Sequence, residues 1–337
     1  MSDFSVTKDY TGSFFRTLAL GIVALTFSFI LNNYLNFWQD WPSLPVLYAE
    51  MGWFGFQQLQ VPLTASERTL GWIQFFVYFL PIIFIILFVY FTPQKRIEYE
   101  AKLLSRINVY LIRSFFWAVL LIGIFDMLLS FLRVESFLEY FVGKSLAVEL
   151  GRSNFRGVNV HYPLIILSFV IGYFSRSLGF YWLSALIVFA EIQIVIARFV
   201  FSYEQAFMAD LVRFWYGALF LFASPYTLIK EGHVRVDLFY AGYSARGKAW
   251  CNVLGSFFLG VPFCWVILVQ GMWGKSNVIN GPLLNFEVTQ AGFGMYVKYL
   301  LAGFLLVFSL SMLIQFISYF LHNLSILRTI DQPEKNG

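Results

Sequence analysis

The sequence predicts an all-α polytopic integral membrane protein with about eight transmembrane helices. Three observations predict it. Hydrophobic residues make up 59% of the 337 positions and charged residues only 12%, against about 25% charged in an ordinary soluble domain. The apolar residues fall into runs of roughly 20, the length a helix needs to cross the hydrocarbon core. The charges gather between those runs.

The first run is 14–35. It is longer than a signal-peptide core and no small-x-small cleavage site follows it, so it reads as a retained helix. A loop of roughly 35 residues comes next. It carries Trp38, Trp41 and Trp53, which prefer the membrane interface, and has room for a short interfacial helix around 47–58. The second span is 70–91, closed by Thr92-Pro93, and a basic loop covers 94–106. The third span is 107–132, followed by a mixed loop, 133–160. Residues 162–201 are too many for one span and are broken at Ser175-Arg176-Ser177-Leu178-Gly179. Two helices are expected there, about 162–173 and 180–201. The first is short, so a re-entrant or strongly tilted segment is the alternative. The remaining spans are 209–229, 250–273 and 294–321. Pro81, Pro225 and Pro262 lie inside or near span ends, where membrane helices tolerate kinks.

Orientation follows from lysine and arginine in the loops. Lys95, Arg96, Lys102, Arg106, Arg176, Lys230, Arg235, Arg246 and Lys248 would share one side with both termini. Arg68, Arg133, Lys144, Arg152, Arg156 and Lys275 would face the other. Both termini are therefore expected in the cytoplasm. The net charge of +4 suits basic cytoplasmic loops and gives no reason to expect a nucleic-acid partner. Cys251 and Cys264 suggest neither a disulfide framework nor a metal site. No Walker sequence, phosphate-cradling glycine loop or Ser-His-Asp order stands out, so no enzyme and no cofactor is expected. His161, His233 and His322 are the only histidines, and interfacial positions without a cofactor account for them.

Polar residues inside the spans are the informative ones. Asp126 and Glu191 are intramembrane carboxylates, candidates for function by default. Each stands seven residues ahead of an arginine, Arg133 and Arg198, on the same helix face. Ion-pathway groups and hydrogen-bonded groups at helix contacts are both open readings. Arg198 and Asp210 flank a short turn and are expected to pair, with Arg213 joining Asp210 at i+3. The last candidate is a polar island between two long apolar runs, Lys230-Glu231-Gly232-His233-Val234-Arg235-Val236-Asp237. Glu231 and Arg235 fit a helical i,i+4 pair, while His233, Arg235 and Asp237 also alternate with apolar neighbours as an extended strand would. Both conformations stay open. Ser244 is placed to cap the helix after it.

Glu231-Gly232-His233-Val234-Arg235-Val236-Asp237 followed by Leu238-Phe239-Tyr240 resembles the signature of the small membrane subunit of TRAP transporters, the tripartite ATP-independent periplasmic transporters. Gln193-Ile194-Val195-Ile196-Ala197-Arg198-Phe199 resembles the end of that family's first helix. Ala209-Asp210-Leu211-Val212-Arg213-Phe214 resembles the start of its second, with Asp210 where the family usually has Glu. Ser244-Ala245-Arg246 resembles its Ser-Pro-Arg stretch, with Ala245 replacing Pro. The resemblance divides the chain into an additional N-terminal membrane region, 1–178, and a four-helix small-subunit-like region, 179–337. It implies a bacterial inner-membrane protein that scaffolds a large membrane subunit. The complex would take up an organic acid or similar solute, driven by the sodium gradient and delivered by a periplasmic binding protein. It also implies an interface role for Glu231, Gly232, His233, Arg235 and Asp237. A stand-alone secondary transporter using Asp126 and Glu191, and a respiratory membrane anchor using His161 and His322, are the alternatives from other classes.

Overall fold

The computed structural model describes residues 10–93, 97–177, 179–203, 205–229, 239–289 and 294–331. Its helices are α1 (Tyr10–Trp38), α2 (Leu44–Met51), α3 (Ala65–Phe91), α4 (Ile97–Val134), α5 (Leu138–Val142), α6 (Lys144–Leu150) and α7 (Ser153–Arg156). They continue as α8 (Tyr162–Phe174), α9 (Phe180–Phe201), α10 (Ala206–Ile229), α11 (Ala245–Leu254), α12 (Val261–Met272), α13 (Asn280–Asn285) and α14 (Lys298–Asp331). Among the described residues there is no strand. Eight helical stretches are long and apolar enough to cross a membrane, as expected from the sequence.

The helix ends follow local chemistry. Thr64 and Glu67 form a capping box ahead of α3: the Thr64 hydroxyl accepts from the Glu67 N–H and the Glu67 carboxylate accepts from the Thr64 N–H. Each bond satisfies a donor that the helix itself leaves orphaned. Ser244 caps α11 through the Gly247 N–H at 3.2 Å. Gly52, at φ 66°, ends α2 in the left-handed conformation, which an L side chain avoids.

Several boundaries differ from the sequence reading, most of them for one reason. Charges near a span end read as loop but are helical. α4 begins at Ile97, so most of the expected basic loop is its first turns, where Glu98 and Lys102 pair at i,i+4, 2.6 Å apart. The expected short fourth span is lengthened at its N-terminus. α7 runs through a π-helical turn (Gly157–His161) into α8, giving a continuous helical stretch of 22 residues, Ser153–Phe174. α14 starts at Lys298 rather than 294 and runs on to Asp331. A second π-helical turn (Gly255–Gly260) joins α11 to α12.

The described residues of 1–102, 238–259 and 316–337 form one compact unit; those of 103–237 and 260–315 form another. Both units draw on residues either side of position 179, so compactness and family resemblance cut the chain differently. In the first unit α1 packs along α3. The Gln74 side-chain amide donates to Asn32 at 2.9 Å and to Asn36 at 2.5 Å. Arg16 is buried and forks onto Glu100, with Nη2 to Oε1 at 2.6 Å, and donates to the Thr92 carbonyl at 2.7 Å. In the second unit Ile112, Phe116, Phe214, Trp215, Phe222 and Phe304 centre the core. α4 and α10 approach so closely that a Cβ on Gly123 would lie 2.2 Å from the Trp215 indole nitrogen. Arg113 donates to the Ser175 carbonyl at 2.7 Å and the Gly172 carbonyl at 3.3 Å, satisfying the C-terminal end of α8.

Candidate functional site

The second unit holds a fully buried ion network built from elements far apart in sequence. α4 supplies Asp126, Ser130 and Arg133, which lie four and three residues apart and therefore share one face. The end of α7 supplies Arg156, the π turn supplies His161, the segment leading into α14 supplies Tyr296 and the first turn of α14 supplies Tyr299. Asp126, Ser130, Arg156, His161 and Tyr299 are all completely shielded.

Asp126 is the hub. Its Oδ1 accepts from Arg156 Nη1 at 2.9 Å and from His161 Nε2 at 3.1 Å. Its Oδ2 accepts from the Tyr296 backbone N–H at 2.8 Å. Arg156 also donates to Ser130 Oγ at 3.2 Å and, through Nε, to the Leu150 carbonyl at 3.0 Å. The far nitrogen of the imidazole, Nδ1, meets the Tyr299 hydroxyl at 2.7 Å, and the two rings stack with an interplanar angle of 17°. An ionised carboxylate only accepts, so Nε2 carries the proton toward Asp126, and Nδ1 of a neutral ring accepts from Tyr299. Tyr296 is gripped from two sides. The Arg156 and Arg133 guanidiniums lie over its ring, 4.2 and 4.6 Å from the centroid. Its hydroxyl accepts from Arg133 and donates to the Gly151 carbonyl at 2.8 Å.

Asp210 performs a parallel task one residue away. Its Oδ2 accepts from the Met295 N–H at 3.1 Å and from Thr289 Oγ1 at 3.4 Å, and Arg213 Nη1 stands 3.6 Å from Oδ1. Two carboxylates, one on α4 and one on α10, therefore hold two successive backbone N–H groups just ahead of α14. Negative charge at the approach to a helix N-terminus is favourable. The expected Arg213–Asp210 link is present. The expected Arg198–Asp210 pair is not: Arg198 projects from the exposed side of α9, and Asp210 meets Thr289, the Met295 N–H and Arg213 instead. The turn brings the helix ends together but does not fix their rotation.

Asp126 and Arg133 share a face, as their spacing predicts. They are joined through Tyr296 and not directly. Glu191 lies on the exposed surface of α9, apart from the network, and among the described residues it has no hydrogen-bond or ion-pair partner. Both nitrogens of His161 are taken, leaving none for an axial bond to a haem. Among the described residues no group of three or more His, Cys, Asp and Glu side chains could hold a metal ion. Glu231, Gly232, His233, Arg235 and Asp237 lie outside the described residues.

Sequence reasoning passed over Arg156, Tyr296 and Tyr299, and took His161 for an interfacial residue. A signal for two of them was present. An apolar stretch of only 13 residues, α8, cannot cross a bilayer by itself. The polar turns before it, with Arg156 and His161, had to be inside as well.

Fold and site define a polytopic helical membrane protein whose intramembrane charges serve to bind helices together. Residues 184–325 match the family described as tripartite ATP-independent periplasmic transporters, DctQ component. That stretch, about two fifths of the chain, is similar to the DctQ component and is called the DctQ-type region below; further membrane-spanning helices precede it. No curated protein and no solved structure matches the chain. The match begins within α9 and ends within α14. The network straddles it: Asp210, Met295, Tyr296 and Tyr299 lie inside the matched stretch, and Asp126, Ser130, Arg133, Arg156 and His161 lie before it.

Proposed function

We propose that the protein is the small membrane subunit of a TRAP transporter, fixed in the inner membrane with both termini in the cytoplasm. In this reading it scaffolds a large membrane subunit that carries the substrate and sodium sites. A periplasmic binding protein delivers an organic acid or similar solute. The observation that carries the reading is the DctQ match across 184–325. The buried network supports a scaffold rather than a transport path. Each buried carboxylate among the described residues accepts from guanidinium, imidazole, hydroxyl or backbone N–H donors and so is tied into the fold. A coupling site must leave oxygens free to exchange an ion. Within the second unit the same network ties Asp126, Arg156 and His161, which precede the matched stretch, to Tyr296 and Tyr299 inside it.

The experiment is co-purification with a large multispanning subunit, followed by uptake into proteoliposomes holding both subunits and the binding protein. Uptake requires both subunits and the binding protein, and follows an imposed sodium gradient. His233→Ala and Arg235→Ala are expected to lower the amount of assembled complex or its maximal rate. They leave half-saturating substrate and sodium nearly unchanged, because those sites lie in another chain. Sodium-dependent uptake by this chain alone would overturn the scaffold reading.

A further inference from the structure

α9 is a span with an unfinished face. Only Leu183 and Ala190 are buried along it. With Leu186, Ile187 and Ile194 they form the side that packs on the core of the second unit. The rest of the helix surface is largely open, and Val188, Glu191, Val195 and Arg198 follow one another along the flank beside the packed side at three- and four-residue spacing, all exposed. That spacing makes them one stripe. Glu191 lies at the middle of the helix, at the depth of the hydrocarbon core.

Every other carboxylate among the described residues of the eight spans has an assigned partner. Glu67 belongs to a capping box, Glu98 pairs with Lys102, Glu100 with Arg16, Asp126 with Arg156 and Asp210 with Arg213. Glu191 stands apart. An ionisable group facing hydrocarbon is costly, and such groups face protein or a water-filled cavity. Lipid headgroups do not reach this depth. A second copy of the chain, docked through the same stripe in the same membrane orientation, would set Glu191 against Glu191. The nearest cation on the stripe, Arg198, is two turns away, about 10 Å along the axis. A two-fold contact therefore adds like charge where opposite charge is needed.

Building on the scaffold reading above, we infer that the Val188–Glu191–Val195–Arg198 face of α9 is where the large subunit docks, with an intramembrane Lys or Arg of a large-subunit helix paired to Glu191. The apolar residues above and below exclude lipid from the pair, and Arg198 orients the contact nearer the membrane surface.

The test uses the full chain co-expressed with the large subunit. Glu191→Lys should lower the co-purified large subunit at least tenfold and Glu191→Gln severalfold. Glu191→Leu should lose the complex while leaving the melting temperature of the isolated chain unchanged, since Glu191 has no hydrogen-bond or ion-pair partner among the described residues. A photo-crosslinking residue at Val188 or Val195 should capture the large subunit. The same residue at Ile166, exposed on α8, should not. Full recovery of the complex with Glu191→Lys sinks the inference. So do crosslinks from 188 and 195 that reach only a second copy, or nothing, while the wild-type complex forms. Those outcomes leave the scaffold reading standing. If the wild-type chain brings down no large subunit, both fall.

Discussion

Asp126 and Glu191 look alike in sequence: each is a carboxylate deep in an apolar span, seven residues ahead of an arginine. In the structure they have opposite surroundings. Asp126 is enclosed by Arg156, His161 and the Tyr296 N–H, while Glu191 faces outward on α9. The difference teaches that an acid inside a membrane helix reports a partner, but not whose. Asp126 draws its partners from the same chain and spends its charge on folding. Among the described residues Glu191 has none, and the proposed docking of the large subunit rests on that contrast.

Removing Asp126 should produce the largest effect on the chain itself. Asp126→Ala leaves Arg156 buried with no counter-charge, at a cost of about 3–5 kcal/mol, read as lost folded yield and a lowered melting temperature. Asp126→Leu combined with Arg156→Met removes both charges and should cost clearly less than the sum of the two single changes. Additive losses would mean the two residues are not coupled. Gly123→Val comes next. Its Cβ would meet the Trp215 ring, and overpacking of this kind costs about 1–3 kcal/mol. A change well below that range, measured by thermal melting, would show that α4 and α10 separate freely. Tyr299→Phe removes only the hydroxyl on His161 and should cost about 1–3 kcal/mol, the penalty of an unsatisfied buried acceptor. Smallest of all, Glu191→Gln in the isolated chain should stay within about 0.5 kcal/mol of wild type, as for an ordinary exposed residue. A large loss there would erase the contrast between the two carboxylates. The Arg198→Ala and Asp210→Ala double-mutant cycle should be additive within about 0.5 kcal/mol, because Arg198 makes no contact with Asp210.

The spans were legible in the sequence because length and hydropathy are properties of a segment alone. Ser244 as a cap and Arg213 beside Asp210 were legible because both relations are local. The partners of Asp126 were not. Arg156 and His161 lie 30 and 35 positions away, and Tyr296 lies 170. No periodicity spans such distances. The Arg198–Asp210 expectation failed for a related reason. A helix apolar nearly all round carries little mark of which face turns inward, so a short turn fixes proximity without fixing rotation. The early starts of α4 and α7 were hidden by charge. Glu100 and Arg156 are charged as loop residues are, and only their buried partners, Arg16 and Asp126, explain their place inside.

The grip of Asp126 on Tyr296 also sets an order in time. Asp126, Arg156 and His161 all emerge from the ribosome before the DctQ-type region exists, so the acid and its guanidinium can enter the bilayer already neutralised by each other. The Tyr296 N–H and the Tyr299 hydroxyl follow roughly 7–27 s later at ordinary synthesis rates. Until then His161 lacks its Tyr299 hydrogen bond. The surroundings of Asp126 and His161 are therefore completed by the last of the eight spans and the segment just before it. A chain that stops short of Tyr296 and Tyr299 lacks the N–H and the hydroxyl that complete the surroundings of Asp126 and His161.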